Sequence, residues 1–357
     1  MRPTRVVILN GKTADEPEIR AALEELLSDG VRSAIHITGG EGDAERFAAD
    51  AARSGAERLI AFGGDGTLNS VATGIDAVVG AGGSWSGVVG IVPTGTANDF
   101  ATCAGIPTET PSAAVIAMRD YRPVALDSGR SDAGLFLNVA TAGFGSEVSS
   151  SVSDELKSVL GRISYLVAGA ANVGGVEPRR ARIRGPEFDR TIAFYLLAIG
   201  NGRCAGGGIP VCPDANPADG LFDVTIVPEG MVGRTVGEIL DKGMEGLGDA
   251  GIRFRCPWLE IEADEPLHLN LDGEPSTGTR FRFEVNPGAL RVLLPPDCPM
   301  LWSRSSGEAG EAGEAGGAGE AGEAGEAGEA AGEAGSASGV SLSRPSSVRC
   351  EGEPRPA

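Results

Sequence analysis

The chain has 357 residues, room for two ordinary domains plus extra segments, with 41% hydrophobic residues and a net charge of -20. Four arginines against ten glutamates after residue 300 put -6 on the tail and leave -14 on the rest. That balance argues against nucleic acid as a main partner, because neutralising phosphates takes surplus Lys and Arg. The longest apolar stretch, residues 192–199, is far short of the ~20 residues that span a bilayer, and the apolar run at 6–9 is too brief for a signal-peptide core.

In chain order, residues 6–9 read as a short buried strand. Residues 15–30 follow with helical periodicity, Ile19, Ala22, Leu23, Leu26 and Leu27 on one face, Asp15 as N-cap and Gly30 as the stop. Ile35 and Ile37 alternate in a second strand, and residues 43–53 form a second helix ended by Gly55. Residues 59–62 and 88–92 are two further strands, each running into a glycine-bearing loop. Strands at intervals of ~25–30 residues with helices between them predict a parallel sheet in an α/β domain, whose ligands bind at the carboxyl ends of the strands.

After about residue 126 the texture changes. Short strand-like segments at 135–140, 180–184, 192–200, 222–227, 267–271 and 280–285 are separated by Gly, Pro and Asp, with helices expected only near 154–173 and 232–247. This predicts a β-rich second domain, a sandwich, over residues 127–302, after an α/β nucleotide-binding domain at 1–126. Residues 303–357 predict a disordered tail, because the Gly-Glu-Ala repeat between Gly307 and Gly335 has no apolar side chain larger than Ala.

Four motifs carry chemistry. Gly63-Gly64-Asp65-Gly66-Thr67-Leu68-Asn69 follows a strand and opens a helix, an arrangement suited to phosphate. Its lone acid points to a metal ion shared with that phosphate. Pro93-Thr94-Gly95-Thr96-Ala97-Asn98-Asp99-Phe100 repeats the pattern after the next strand. Leu271-Asp272-Gly273-Glu274 reads as a hairpin turn, or as a carboxylate offered at a turn tip. The loop from Asp214 to Asp223 is rich in oxygen donors, suiting Mg²⁺ or Ca²⁺, and is equally an ordinary loop. Neither a Walker-type P-loop nor a dinucleotide fingerprint is complete: Val6 and Asn69 occupy the glycine positions those motifs require. Arg180, Arg182 and Arg184 alternate along one strand face, which is either solvated or turned to anionic headgroups. The six cysteines, without Cys-x-x-Cys or zinc-like spacing, read as free thiols of a reducing cytosol. His36 and His268, the two histidines, read as structural, which leaves acid–base work to carboxylates.

Together the motifs resemble the diacylglycerol kinase-like lipid kinases, with the YegS-type bacterial enzymes nearest. The resemblance runs from about residue 5 to 301. It includes Leu9-Asn10-Gly11-Lys12, Thr38, both glycine loops, Gly200-Asn201-Gly202-Arg203, Cys212-Pro213, Asp219-Gly220-Leu221 and residues 270–275. Ser70 stands where the family usually has Glu, and Thr94 where Leu is usual.

The resemblance implies ATP- and Mg²⁺-dependent phosphorylation of a lipid hydroxyl, phosphatidylglycerol- or diacylglycerol-like. It implies ATP contacts at Thr38, Gly64, Asp65, Gly66, Thr67, Leu68, Asn69, Ser70 and Thr96, and Glu274 as general base with Asp272 as its competitor. Asp65, Asp99 and Asp127 would organise the catalytic Mg²⁺. Asn216, Asp219 and Leu221 would hold a structural Mg²⁺, with Ca²⁺ the other fit. A cytoplasmic protein touching the inner face of the membrane transiently is expected. Transfer to a soluble dinucleotide, as in NAD kinase, and a non-catalytic nucleotide-binding regulator are the two alternatives.

Overall fold

A computed structural model describes residues 4–143, 178–231 and 251–301. The helices expected near 154–173 and 232–247 and the tail at 303–357 lie outside the described residues. The chain opens as β1 (Arg5–Leu9), α1 (Pro17–Leu27), β2 (Ser33–Ile37), α2 (Asp43–Ser54), β3 (Arg58–Gly63), α3 (Asp65–Gly80) and β4 (Val88–Pro93). These strands pair in parallel, in the order β4-β3-β1-β2. β1, β4 and all of β3 beyond Arg58 are buried, which is why they read as unbroken apolar runs. β2 is the edge strand, and its Ile35 and Ile37 remain 41% and 55% exposed.

Two boundaries differ from expectation. α1 begins at Pro17 after Glu16, and Asp15 pairs with Arg20 instead of capping the helix. The glycine-dense stretch after β3 is a loop only at its start: α3 begins at Asp65, so Gly66 through Asn69 are already helical.

The chain continues through α4 (Asp99–Ala104), α5 (Pro111–Ala117), β5 (Arg122–Ser131), β6 (Gly134–Phe136) and β7 (Val139–Gly143). Next come β8 (Arg179–Gly185), β9 (Phe188–Gly200), β10 (Cys204–Ala205), β11 (Ile209–Pro210) and β12 (Phe222–Pro228). β13 (Ile252–Cys256), β14 (Trp258–Leu271) and β15 (Glu274–Leu294) complete it. The long strands change partners along their length. β14 pairs β8 through residues 260–263 and β7 through 269–271, while β9 pairs β8 in its first half and β7 in its second. A hydrogen-bonded network that bends in this way wraps a separate core containing Phe136, Phe194, Phe222, Phe281 and Phe283. Phe136 stacks on Phe222 and stands edge-on to Phe283.

β15 joins the two regions. Its last residues lie beside β5 and meet β4 in parallel at Val292 and Val89, so Leu290, Val292 and Leu294 belong to the core of the α/β half.

β14 and β15 are longer than the segments expected at 267–271 and 280–285. Charged residues alternate with Leu259, Ile261, Phe281 and Phe283 there, and they extend the strands because they pair on the outer face: Glu260 with Arg184 and Arg282, Glu262 with Arg280. Arg182 is held bidentately by Asp189, at 2.8 and 2.7 Å, and Arg180 lies 3.7 Å from Asp264. The arginine row is therefore matched by carboxylates.

The cysteine reading needs correction. Cys103 and Cys204 form a disulfide across 101 residues, with their Cα atoms 6.6 Å apart. Sequence spacing carried no sign of it because the fold alone brings α4 beside β10. Cys212, Cys256 and Cys298 are free and buried.

Candidate active site

The two glycine loops sit side by side at the carboxyl ends of β3 and β4. Gly64 and Gly95 pack so closely that a methyl group on Gly95 would lie 2.6 Å from the Gly64 Cα. Asn98 holds the second loop from within. It adopts a left-handed conformation (φ 48°), accepts from Gly95 N at 3.0 Å and donates to Gly95 O at 2.8 Å. Asp65 ties the first loop to the second, its carboxylate accepting from the N–H groups of Asp99 and Phe100 at 2.9 Å each and so capping α4. Burial raises the Asp65 carboxyl pKa against the opposing effect of these amides. The first turn of α3 has N–H groups with no carbonyl one helical turn before them, which makes it an anion-binding helix end beside Gly66.

The β14–β15 hairpin comes to this helix end from the β-rich half. Asp272 and Gly273 both have positive φ, 49° and 104°, the geometry that Asp-Gly hairpin turns favour. The Asp272 carboxylate accepts from the N–H groups of Leu137 (2.6 Å), Asn138 (3.1 Å) and Val139 (2.9 Å). That grip splits residues 135–140, expected as one strand, into β6 and β7. Burial pushes the Asp272 carboxyl up to about 6, helped by the nearby negative charge of Asp65 and opposed by the three amides. Glu274, one residue past the turn, is exposed. Its Oε1 is 3.9 Å from where a Gly66 Cβ would stand. A carboxylate from one half of the fold thus meets the anion-binding helix end of the other.

The remaining positions divide by exposure. Thr96 is exposed and Ser70 half-buried. Thr38 directly follows β2, its Oγ1 accepting from Gly11 N at 3.0 Å. Leu68 is 3% exposed in the core. Asn69, 8% exposed, donates to Leu135 O (3.0 Å) and reaches Asp272 (3.4 Å), so its side chain bridges the two halves of the fold. The Thr94 hydroxyl is buried and, among the described residues, has no hydrogen-bond partner. Nothing in the structure explains that choice of residue.

Sequence reasoning assigned no role to Asn98 or to the amides of Gly207 and Gly208, both of which hold Asp99 or its loop. The run Gly206-Gly207-Gly208 was the visible signal for a backbone donor site.

Two family models cover almost all of the described chain. The diacylglycerol kinase catalytic domain matches residues 4–131 and the YegS C-terminal NAD kinase beta sandwich-like domain matches 138–294. The chain belongs to the diacylglycerol kinase/YegS family of lipid kinases. A protein of Pseudomonas aeruginosa named "Probable lipid kinase YegS-like" is 44% identical over 298 residues, 83% of this chain and 96% of that one. A protein of the same name from Xanthomonas euvesicatoria pv. vesicatoria is 43% identical over 301 residues, covering 83% and 97%. The crystal structure of a diacylglycerol kinase from Bacillus anthracis aligns with a TM-score of 0.69 at 25% identity, covering 83% of this chain and 98% of that one. Another from the same organism aligns at 0.70 with 24% identity, a likeness of fold.

Kinases of this kind take a nucleotide and a divalent metal, and the carboxylates differ in how well they suit one. Among the described residues no three His, Cys, Asp or Glu side chains gather to hold a metal alone. That is ordinary for Mg²⁺, which binds through one or two carboxylates plus substrate phosphates and its own waters. Asp65 fits: it has an α4 amide on each oxygen, but it is half-buried at the loop and so keeps lone pairs open toward the cleft that a metal's waters could reach. Asp99 uses Oδ1 to accept from Gly207 N (2.9 Å) and Gly208 N, and it lies next to the Asp65 cap. Asp127 fits poorly: it is 4% exposed and each oxygen is taken by a loop amide, Gly220 N at 2.7 Å and Gly288 N at 2.8 Å. In the Asp219 loop, Asn216 accepts from Ala218 N (3.2 Å) and Asp219 from Leu221 N (3.1 Å). The carboxylate and carbonyl oxygens of that loop suit a hard cation, and the Arg255 guanidinium already sits on Asp219 as a positive charge.

Proposed function

We propose that this chain transfers the γ-phosphoryl group of ATP to the hydroxyl of a phosphatidylglycerol- or diacylglycerol-like lipid, with Glu274 as general base. The observation that supports this most is the approach of Glu274 to Gly66, which sets a solvent-accessible carboxylate beside the helix end where phosphates would rest. In this reading the stretch from Gly64 to Ser70, through the amides of the first turn of α3, and the Thr96 loop contact the nucleotide, and Thr38 borders it. Asp65 and Asp99 would share the nucleotide's Mg²⁺, and Asn216, Asp219 and Leu221 would hold a second, structural Mg²⁺ or Ca²⁺. Bound Mg²⁺ supplies charge neutralisation on the phosphates; the chain supplies alignment. Phosphoryl transfer asks mainly for positioning and charge stabilisation, which rigid amide loops provide. Glu274 takes the proton from the lipid hydroxyl as it attacks.

Among the described residues no helix is long and apolar enough to cross a membrane. With a body charge near -14 and its arginine row matched by carboxylates, the protein meets lipid by local, transient contact from the cytoplasmic side. The test is label transfer from γ-labelled ATP with Mg²⁺ to phosphatidylglycerol, diacylglycerol, sphingosine and NAD in parallel. Label in one of the lipids is expected. Label in NAD alone replaces this reading with that of a dinucleotide kinase, and label in none replaces it with that of a regulator.

A further inference from the structure

The Cys103–Cys204 bridge lies against the groups that organise the second glycine loop. Cys103 is on the last turn of α4, a helix whose first residue is Asp99. Cys204 opens the small β10–β11 hairpin, in which it faces Pro210, and the tip of that hairpin is Gly206-Gly207-Gly208. The tip amides of Gly207 and Gly208 donate to Asp99 Oδ1. The hairpin is therefore fastened to α4 twice, at its base by sulfur and at its tip by a carboxylate. α4 in turn is capped by Asp65, so one line of contacts runs from the bridge to the first glycine loop.

The three tip glycines have φ of 67°, 97° and 83°, and a Cβ on Gly206 or Gly207 would meet nothing within 4 Å. Ala205 and Ile209 on either side of the tip pack against the small core that includes Val211 and Cys212, while the tip itself is held at Asp99. The other described cysteines are unsuited to redox chemistry: all three are buried, and burial pushes the Cys256 thiol up to about 12 and the Cys212 thiol higher still. Cys103 differs in being half-buried, and so within reach of a small reductant.

We propose that Cys103 and Cys204 are a redox-modified site that sets how firmly the glycine hairpin holds Asp99, and through it how tightly the enzyme binds nucleotide. The second half of the proposal rests on the kinase reading above. A dithiol reductant supplies the chemistry. Its thiolate attacks Cys103 Sγ and breaks the S–S bond, Cys204 leaves as thiolate and is protonated, and the second thiol closes the reductant to its own disulfide while freeing Cys103. Two electrons and two protons pass to the pair. Disulfides in reducing compartments are mostly transient and sensory, which is the use proposed.

Alkylation under denaturing conditions, with the full chain and no reductant, is expected to label four of the six cysteines, and all six after dithiothreitol. Amide exchange at residues 206–208 is expected to quicken about tenfold on reduction, while β1, β3 and β4 stay protected. A Cys103→Ser/Cys204→Ser variant is expected to match the reduced enzyme and to ignore the redox state, with the KM for ATP raised several-fold in both. Six labelled cysteines even after oxidised glutathione would overturn the bridge, and equal exchange in the two states would overturn the clamp. Faster exchange with an unchanged KM would overturn the link to nucleotide. No phosphoryl transfer in either state would count against the kinase reading instead, and exchange would still decide the clamp.

Discussion

Gly64 and Gly95 meet backbone to backbone across the ends of β3 and β4, where a methyl group has no room on Gly95 and is tight on Gly64. A Cβ on Gly95 would stand 2.6 Å from the Gly64 Cα, and one on Gly64 3.0 Å from the Gly95 Cα. The obstructing atoms are main chain and cannot swing aside, so Gly95→Ala must separate the loops. It is expected to destabilise the fold by about 1–3 kcal/mol and to raise the KM for ATP on the order of tenfold. Gly40→Ala, where a Cβ meets nothing within 4 Å, is the control. Thermal melts and ATP titrations decide. A Gly95→Ala enzyme indistinguishable from the control would mean that the close approach is unimportant.

Glu274 is exposed, and its proposed work is chemical, not structural. Glu274→Gln should leave the melting curve within ~0.5 kcal/mol of the parent while lowering kcat by roughly 10²–10⁴ with little change in KM. Full turnover by this variant under saturating substrates would remove the base assignment and turn attention to Asp272.

Much of this arrangement was legible in the sequence, for reasons that also explain what was not. β1, β3 and β4 are buried on both faces, so their apolar runs stand out, and the glycine loops that follow them mark the ligand end of a parallel sheet. Glu274 entered the candidate site through family likeness alone; its approach to Gly66 was not legible, since no local pattern records a contact across some 200 residues. The full lengths of β14 and β15 were hidden because Glu260, Glu262, Arg280 and Arg282 look like interruptions until their partners on neighbouring strands are known. The role of Asp272 was hidden too: its three partners are main-chain amides, which leave no trace in residue identity. Leu68 and Asn69 lie within the glycine-rich motif, but helix geometry turns their side chains inward.

Asp272 gives a pH dependence whose sign differs between activity and stability. Its carboxyl is pushed up to about 6 from an ordinary 3.8, so the folded protein holds this proton more tightly than the unfolded chain does. Between these values the folded state binds more protons, and stability contributed by this group falls as pH rises toward 6. Activity runs the other way, because the ionised carboxylate is the form that accepts the Leu137–Val139 amides and fixes the hairpin bearing Glu274. A limb in kcat/KM is expected near pH 6, with turnover lost on the acid side. Asp272→Asn should flatten that limb and lower turnover throughout pH 5–8, and Asn tolerates the left-handed turn. A variant with the parental limb would assign that limb to another group, the raised Asp65 carboxyl being the nearest.

Asp127 separates two roles that one carboxylate rarely plays together. Family resemblance assigns it to the catalytic Mg²⁺ network, yet both oxygens are engaged, by Gly220 N in the Asp219 loop and by Gly288 N at the bend in β15. Its own backbone is held as well, its N–H donating to Pro217 O at 2.7 Å and its carbonyl accepting from Asn201 at 3.0 Å. Asp127→Ala would leave two amides without their acceptor in a site only 4% exposed, at a cost on the order of 2–4 kcal/mol. Asp127→Asn would keep one acceptor and point an amine at the other N–H, for a smaller loss. A metal ligand would behave differently, raising the Mg²⁺ concentration needed for half-maximal turnover while sparing the melt. The expected outcome is a lowered Tm for both variants, Ala below Asn, with Mg²⁺ dependence unchanged in whatever Asp127→Asn remains folded. An unchanged Tm with a shifted Mg²⁺ requirement would return Asp127 to the metal.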